Sequence, residues 1–361
     1  MSMVSASMDS ALLHQTDRPV RWAVVGTGSI AASFARDIAL APSASLVSVC
    51  SRSPEAADAF SRRFGPLSLS TDLTALAQDA RIDAVYVASP NSAHAAQVAT
   101  LLAAGKPVLC EKTLTTSLSD THALISQARA LSSFLMEALW LLYLPAIQRL
   151  RAVLASGTIG TIRAVRGELA FHKPFNAEDR FFSAALGGGA LLDLGIYPIA
   201  LTLSLFGKPG RVEGSWRAAP SGVDSSAAMR LDYSGFSAAL SCSFDRTGRN
   251  AFVIEGERGT LILDGPFIAA RRLIKAEGGV GRLLSEPSSG RLAAGLRRAV
   301  RLLPNVHTED LPFAGSGLQF EIEAASRAIR AGQAEEETAP HWLTRSAAAI
   351  IETIRTQTPH P

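Results

Sequence analysis

The chain has 361 residues, of which 47% are apolar and 19% are charged, a balance typical of globular proteins with ample buried core. A formal net charge of +3 is too small to predict binding to nucleic acid or to a membrane surface. Three cysteines are too few for a disulfide framework, and neither they nor the seven histidines have the spacing of metal ligands, so we expect no metal site.

The first residues carry no recognisable targeting signal. Residues 1–19 contain neither a long apolar run nor paired arginines, and they predict a loosely held arm. Apolar windows in the rest of the chain stay short of about 18 residues, the length that a membrane span needs. We therefore expect a soluble, cytoplasmic protein without a membrane segment.

Apolar strands alternate with helical segments from residue 20 to residue 137. The apolar runs cover residues 22–25, 46–50, 84–88, 107–110 and 134–137, and helical patterns fill the intervals. This alternation is typical of a parallel, doubly wound sheet. The fold class is therefore predicted as α/β, with a Rossmann domain over residues 20–137.

The first of these strands leads into a glycine turn with the spacing G-x-G-x-x-A. Gly26 permits a tight turn, Gly28 lets the backbone approach a pyrophosphate, and the small Ala31 lets the helix pack closely on the strand. The free N–H groups of the helix that begins here attract phosphate. The turn predicts a dinucleotide site formed by Gly26, Thr27, Gly28, Ser29 and Ile30.

The end of the second strand indicates which dinucleotide is bound. Sites that prefer NAD usually place a carboxylate there, on the ribose 2′-hydroxyl. This chain has Arg52 between Ser51 and Ser53, a set that suits a 2′-phosphate through charge-assisted bonds and hydroxyl donors. We therefore predict NADP rather than NAD as the cofactor, the alternative being an exposed arginine without a ligand.

The second half of the chain has a different pattern. Runs of strand type cover residues 161–172, 211–217, 226–233, 236–244, 251–255 and 260–264, and two helical segments follow at 318–331 and 343–356. Consecutive strands without helices between them predict an open, mostly antiparallel sheet. We expect residues 138–361 to form one α+β substrate-binding domain.

Residues 271–301 stand apart because they carry eight basic and two acidic side chains. Their last part, residues 291–303, has the pattern of a basic amphipathic helix. We interpret it as a solvated helix or loop, with contact to a membrane or to a partner as the alternative.

Two stretches carry polar groups that suit catalysis. Glu111 and Lys112 leave the C-terminal end of a parallel strand, where open α/β sheets bind ligands, although a surface lysine paired with Glu111 would have the same pattern. Farther along, three glycines precede an apolar helix in which Asp193 and Tyr197 are four residues apart and share a face. This acid and phenol form either an active-site wall or a buried hydrogen bond that holds the helix.

Together these stretches resemble the Gfo/Idh/MocA oxidoreductases, and most closely the branch of the dimeric dihydrodiol and D-xylose dehydrogenases. The resemblance runs from about residue 21 to the C-terminus and rests on the motifs at residues 26–31, 89–94, 111–113, 137–140 and 187–197. It implies an NAD(P)-dependent enzyme acting on CH–OH groups. It also implies a homodimer, or a higher homo-oligomer, formed through the open face of the second sheet.

The resemblance also implies roles for individual residues. Lys112 and Tyr197 would be the catalytic pair, and Asp193 the substrate-side carboxylate. The cofactor would be contacted by residues outside the glycine turn as well, namely Ser89, Pro90, Asn91, His94, Glu111 and Lys112. Because the ordinary tyrosine pKa of about 10 is too high for a base, a nearby ammonium would have to lower it. We therefore assign proton exchange to Tyr197 and oxygen binding to Lys112, with Lys112 as the base in the alternative mechanism.

Two positions depart from the family pattern. Thr113 stands where the family usually has proline, often after a cis bond, and since a non-proline cis bond costs about 2.5–4 kcal/mol we expect a trans bond here. Leu142 stands where an arginine is usual, which removes a polar group from the neighbourhood of the site.

The sequence thus predicts an NADP-preferring oxidoreductase that moves a hydride between the nicotinamide and a cyclic alcohol or carbonyl, either a sugar or a trans-dihydrodiol. An NAD-linked inositol or sugar dehydrogenase is the alternative among enzymes. The alternative of another class is a catalytically silent NAD(P)-binding sensor or partner subunit, which Thr113 and Leu142 would suit.

Overall fold

The structure of the chain is a computed structural model that describes residues 18–278, 280–285, 295, 298–357 and 359. All but the last two residues of the predicted N-terminal arm lie outside this range. The described residues divide into two compact units, one formed by residues up to Trp140 with Ala314–Arg345 and the other by Leu141–Phe313 with residues from Ser346 onward. The sequence prediction placed one boundary after residue 137 and assigned everything beyond it to the second domain.

Helices occur in both units. In chain order they are α1 Ser29–Asp37, α2 Pro54–Phe64, α3 Leu73–Gln78, α4 Asn91–Ala103, α5 Leu118–Ala130, α6 Pro145–Ala155, α7 Ile196–Phe206, α8 Val280–Ser285, α9 Leu318–Arg330 and α10 His341–Arg355.

The first unit is built on a six-stranded parallel sheet with the order β3-β2-β1-β4-β5-β6. Its strands are β1 Val20–Val25, β2 Ala44–Cys50, β3 Ser68–Ser70, β4 Ala84–Val87, β5 Val108–Glu111 and β6 Leu135–Ala138. Every residue of β4, β5 and β6 is buried, as expected when helices cover both faces of a parallel sheet. The prediction of a doubly wound Rossmann sheet is confirmed.

The segment Ala314–Arg345 returns to this first sheet. The carboxylate of Asp37, at the end of α1, accepts hydrogen bonds from the backbone N–H groups of Ser316, Gly317 and Leu318 at the start of α9. The indole N–H of the fully buried Trp22 on β1 donates to the hydroxyl of Ser326 at 2.9 Å. These bonds explain why α9 belongs to the first unit although it follows the second in sequence.

The second unit is built on an eight-stranded sheet with the order β14-β13-β12-β11-β7-β10-β9-β8. Its strands are β7 Ile162–Ala170, β8 Arg211–Ala218, β9 Asp224–Tyr233, β10 Phe236–Ser243, β11 Phe252–Gly256, β12 Gly259–Leu263, β13 Arg272–Glu277 and β14 Val306–Asp310. β7 and β10 pair in parallel, and the other neighbours in this order pair antiparallel. The prediction of a mostly antiparallel second sheet is confirmed.

The predicted basic segment divides into parts with different structures. Its first residues form β13, which pairs with β12 and β14, and the side chain of Arg301 forms an ion pair with Asp264. Residues 291–294, 296 and 297 of the predicted amphipathic helix over residues 291–303 lie outside the described residues, so that interpretation stays a prediction.

One stretch, Ala184–Phe206, is long and apolar enough to span a membrane, with a mean hydropathy of 1.6 in its most apolar window. Within the second unit 78% of that window is buried, and every residue from Ile196 to Leu203 is buried. A core helix of a folded domain passes the same test of length and composition. This helix carries the predicted residues Asp193 and Tyr197 near its start.

Candidate active site

The glycine turn leaves the first N–H groups of α1 accessible. No side chain caps this helix, and Gly28 and Ser29 before and at its start are exposed. A Cβ atom at Gly28 would meet no other atom within 4 Å. Unsatisfied N–H groups at the start of a helix form an anion site. The residues present therefore fit the pyrophosphate of a dinucleotide.

Gly26 is required by the protein itself. Its φ is +107°, and a Cβ atom there would lie 2.6 Å from the carbonyl oxygen of Ala88 at the end of β4. Its N–H donates to the carbonyl of Cys50 at 2.8 Å, which places the turn beside the end of β2. The predicted cofactor residues on these strand ends therefore lie at one edge of the sheet.

The loop after β2 holds the residues predicted to select NADP. The hydroxyl of Ser53 accepts the N–H of Ala56 at 3.1 Å, which caps α2, and donates to the carboxylate of Glu55 at 2.7 Å. Arg52 is exposed, whereas Ser51 and Ser53 are partly buried. Ser53 thus has a structural role that the sequence analysis did not assign, and Arg52 is the residue of the three most open to a ligand.

His94 joins two loops at the same edge of the sheet. It is fully buried, and its ring nitrogens lie 2.8 Å from the carbonyl oxygen of Thr113 and 3.0 Å from that of Ser89. Burial lowers the pKa of His94 below its ordinary value. The imidazole therefore connects the loop after β4 to the loop that carries Lys112. Its predicted contact with the cofactor stays a prediction.

The peptide bond between Lys112 and Thr113 is cis, so the expectation of a trans bond was wrong. Hydrogen bonds hold the backbone that follows it. The carbonyl of Thr113 pairs with His94, and the N–H of Leu114 donates to the carboxylate of Glu137 at 2.8 Å. Between the buried Glu111 and Thr113, Lys112 is the partly exposed side chain.

Buried carboxyl groups lie behind the Lys112 loop. The carboxylate of Glu111 accepts the hydroxyl of Tyr86 and the backbone N–H of Lys112, the latter at 3.2 Å. Burial raises the pKa of Glu137 to about 7, against the opposing effects of hydrogen bonds and of the Lys112 charge. Burial and the neighbouring Glu111 raise the pKa of Glu321 well above its ordinary value. The predicted contact of Glu111 with the cofactor stays a prediction.

The glycine run of the second unit packs against the unit's own backbone. A Cβ atom at Gly188 would lie 2.7 Å from the carbonyl oxygen of Phe181, and one at Gly189, whose φ is +126°, would collide with the carboxylate of Asp224. The N–H of Gly189 also donates to the carbonyl of Phe181 at 2.9 Å. The run therefore serves close packing around the start of the helix that follows.

Asp193 and Tyr197 lie at the start of this helix, where the first turn, Leu191–Gly195, is π-helical before the α-helix α7 begins. Insertions of this kind recur at functional sites. The side chain of Asp193 is 13% exposed, and its Oδ1 lies 3.5 Å from Nη1 of Arg180. Tyr197 is buried, with 7% of its surface exposed. Arg180 was not singled out from the sequence because its proximity to Asp193 depends on the fold.

The phenylalanines before the glycine run form a cluster. The rings of Phe181 and Phe182 both make edge contacts with Phe244, and Phe175 contacts Phe182. Two cations lie over the ring of Phe181, Nζ of Lys173 at 3.4 Å and Cζ of Arg180 at 4.0 Å from its centre. Phe182 is buried and Phe175 is 47% exposed, so the cluster is partly core and partly surface.

The predicted catalytic residues come from both units, Lys112 from the first and Asp193 and Tyr197 from the second. Within the part of the chain that the structure describes, no group of three or more His, Cys, Asp or Glu side chains could hold a metal ion. The glycine turn can bind a dinucleotide, and the assignment of Lys112, Asp193 and Tyr197 as catalytic residues stays a prediction.

Two family models match the chain. One, described as the oxidoreductase family with an NAD-binding Rossmann fold, matches residues 20–138, and the other, the GFO/IDH/MocA C-terminal domain, matches residues 147–262. The scyllo-inositol 2-dehydrogenase (NADP(+)) IolU of Bacillus subtilis is 34% identical over 253 residues, which are 68% of this chain and 76% of that protein. The trans-1,2-dihydrobenzene-1,2-diol dehydrogenase of Macaca fascicularis is 29% identical over 342 residues, which are 93% of this chain and 96% of that protein.

Solved structures have the same fold. A 3-ketoreductase from Actinomadura kijaniata, solved in complex with NADP and TDP-benzene, superposes with a TM-score of 0.79 at 24% sequence identity, over 95% of this chain and 98% of that one. The match of both family models in the expected order, together with the similarity of IolU over most of its length, settles the family. The chain belongs to the Gfo/Idh/MocA family of oxidoreductases and has an NAD(P)-binding Rossmann domain.

Proposed function

We propose that this protein is an NADP-preferring dehydrogenase or reductase that acts on a secondary alcohol or ketone of a cyclic substrate, a sugar or a trans-dihydrodiol. The observation that carries the cofactor assignment is the exposed Arg52 on the loop beside the glycine turn. A guanidinium there offers charge-assisted bonds to a ribose 2′-phosphate. The relative IolU, whose name includes NADP(+), adds support.

The bound nicotinamide would supply hydride transfer to and from carbon, and the residues of this chain would manage the proton. We propose that Tyr197 exchanges a proton with the substrate oxygen and that Lys112 donates a hydrogen bond to the same oxygen. An ammonium stabilises negative charge that develops on that oxygen and favours the ionised phenol. The carboxylate of Asp193 would accept hydrogen bonds from hydroxyl groups of the substrate and so fix the orientation of the substrate. The alternative mechanism, with Lys112 as the base, predicts a smaller loss of turnover when the Tyr197 hydroxyl is removed.

The test is a turnover screen with purified protein, NADP and NAD against pentoses, hexoses, inositols and trans-dihydrodiols. We expect reduction of NADP with at least one of these classes and a lower Michaelis constant for NADP than for NAD. The variant Tyr197→Phe should lose most of this turnover and still bind NADPH. Turnover with NAD alone would contradict the cofactor assignment. Enhanced NADPH fluorescence without turnover on the whole panel would instead support a sensor or partner subunit.

A second candidate is an NAD-linked inositol or sugar dehydrogenase, and the carboxylate of Glu55 favours it. This exposed group follows Arg52 by three residues and already accepts the hydroxyl of Ser53. A carboxylate at this place could hold the ribose 2′-hydroxyl of NAD and would repel a 2′-phosphate. Comparing Glu55→Gln with the parent separates the two. A higher Michaelis constant for NAD in the variant favours the second candidate, and a lower one for NADP favours the first.

We also propose that the protein is a homodimer or higher homo-oligomer formed through the outer face of the second sheet. A groove of about 480 Å³ lies there, lined by residues that include Arg166, Arg230 and Ser241. The alternation along β9 leaves Ala228 and Arg230 exposed, while Met229 and Leu231 are buried on the opposite face. The variant Ala239→Arg, at an exposed position of β10, should shift sedimentation toward the monomer. A parent that already sediments as a monomer would rule out this oligomer.

A cytoplasmic location is part of the same proposal. The three cysteines are buried and have free thiols, which suits a reducing compartment. Fractionation of the native host with antibody detection would test it.

A further inference from the structure

The start of the helix that carries Asp193 and Tyr197 is held by a buried carboxylate from a distant part of the second unit. Asp224, the first residue of β9, is 1% exposed. Its carboxylate accepts hydrogen bonds from the backbone N–H groups of Leu191 and Ala190. No local side chain caps this helix, because the residues before it are glycines and Ala190. A tertiary contact therefore replaces the local cap.

This arrangement is specific in shape as well as in charge. Gly189 must lack a side chain because its Cβ would collide with Asp224, and Gly188 must lack one because of the Phe181 carbonyl. The helix start is thus enclosed between the carboxylate and the backbone of the preceding loop. A negative charge at the N-terminus of a helix is also favoured by the helix dipole.

The Oδ1 atom of Asp224 lies 3.8 Å from Nε of Arg355, a distance too long for a hydrogen bond. The buried thiol of Cys242, on β10, also lies near this carboxylate. Burial raises the pKa of Cys242 well above its ordinary value, and the charges of Asp224 and Asp193 raise it further. The neighbouring Ser225 donates to Asp245 at 3.1 Å, so that acid is engaged elsewhere. Burial raises the pKa of Asp224 to about 6, against the lowering effects of the helix N–H groups and Arg355.

We propose that Asp224 is a positioning residue, whose carboxylate sets the orientation of the helix turn that presents Asp193 and Tyr197 to the substrate. This inference rests on the proposed roles of those two residues. Asp224 would act through the backbone of Ala190 and Leu191 and would not touch the substrate. Because the glycine turn for the cofactor lies in the other unit, its affinity for NADP should not depend on Asp224.

The test compares Asp224→Asn with the matched control Asp232→Asn, which removes an acid from the same strand at a partly exposed position. The asparagine keeps the volume and one acceptor oxygen, and it loses the charge and the second acceptor. We expect kcat to fall about 10- to 100-fold in Asp224→Asn, in line with the cost of a misplacement of about 1 Å. The Michaelis constant for NADP should stay within about twofold. The control should retain the parent kcat.

Amide hydrogen exchange gives a readout that does not require turnover. Peptides covering residues 190–197 should exchange faster in Asp224→Asn than in the parent, while peptides from β1 and α1 stay unchanged. If Tyr197→Phe keeps full activity, the proposed catalytic roles fail, and the exchange data still report whether Asp224 holds the helix start. Parent-like exchange and parent-like kcat in Asp224→Asn would overturn the inference. Faster exchange throughout the second unit would show a structural role only and would overturn it as well.

The variant Arg355→Gln serves if Asp224→Asn does not fold. It leaves the carboxylate and its hydrogen bonds in place and removes a charge that lowers the pKa of Asp224. We expect kcat close to that of the parent at pH 8 and an acid limb of the kcat profile shifted to higher pH. Asp224 does not position the catalytic turn if the two profiles coincide.

Discussion

The variant Glu137→Gln should gain stability relative to the parent protein as the pH rises. Glu137 is fully buried, and its pKa is raised from 4.5 to about 7 in the folded chain. Between these values the unfolded chain releases a proton that the folded chain keeps, so the free energy of unfolding falls as the pH rises. At 1.36 kcal/mol per pKa unit the loss is about 3 kcal/mol, complete above pH 7 and absent below pH 4.5.

The glutamine cannot ionise, so Glu137→Gln should escape this loss. Its side-chain oxygen can still accept the N–H of Leu114. A poorly bonded amide group would add a cost of about 1–3 kcal/mol, but that cost is independent of pH. The informative quantity is therefore the difference in Tm between variant and parent, measured at pH 5 and again at pH 8.

We expect this difference to move in favour of the variant by roughly 5–10 °C between the two pH values, from the usual relation between free energy and Tm. Glu352→Gln is the matched control, since it makes the same exchange at an exposed position. The reasoning is refuted if Glu137→Gln and the parent lose or gain stability in parallel across this range. That result would mean that Glu137 is ionised in the fold and that its neighbours compensate its burial.

Other substitutions test the cofactor site and the catalytic assignment. Arg52→Ala should raise the Michaelis constant for NADP about 10- to 100-fold, the value of a charge-assisted bond, and change that for NAD less than twofold; equal effects would contradict the NADP assignment. Tyr197→Phe should lower kcat by at least about 100-fold while NADPH fluorescence titration stays unchanged, and near-normal turnover would exclude Tyr197 as the proton donor. Gly28→Ala should keep the parent Tm and lose NADPH affinity, whereas Gly26→Ala should lower the Tm because of its positive φ and the Ala88 carbonyl. Reversal of that pattern between the two glycines would refute the distinction.

The local features of the first unit were predictable because each depends on a few consecutive residues. Apolar runs such as Ala84–Val87 show that a strand is buried on both faces, and the glycine spacing marks the turn into α1. In each case the physical cause, a buried face or a required backbone angle, lies within the motif itself.

The features that were missed depend on partners far away in the sequence. The carboxylate of Asp37 is an ordinary acid at the end of a helix until the fold brings it to the start of α9, 279 residues or more later. The parallel pairing of β7 with β10 depends on which strand inserts beside which, and alternation in either strand is the same for both pairings. The hydrogen bonds of the His94 ring to the carbonyls of Ser89 and Thr113 likewise depend on the fold, and its predicted contact with the cofactor stays a prediction.

The two glycine motifs illustrate what such patterns can and cannot establish about a ligand. Glycine, which has no side chain, lets the backbone approach a neighbouring group closely. In the second unit the neighbouring groups belong to the protein itself. Gly188 faces the carbonyl of Phe181, and Gly189 faces the carboxylate of Asp224. Gly26 is likewise explained by Ala88, whereas Gly28 has a backbone angle open to any residue and no atom near its missing side chain. Space that the fold does not need, in front of uncapped helix N–H groups, is what a bound pyrophosphate requires. Gly28 therefore supports cofactor binding more strongly than Gly26, Gly188 and Gly189 do. The glycines of the second run instead support the positioning of Asp193 and Tyr197 by close packing at the helix start.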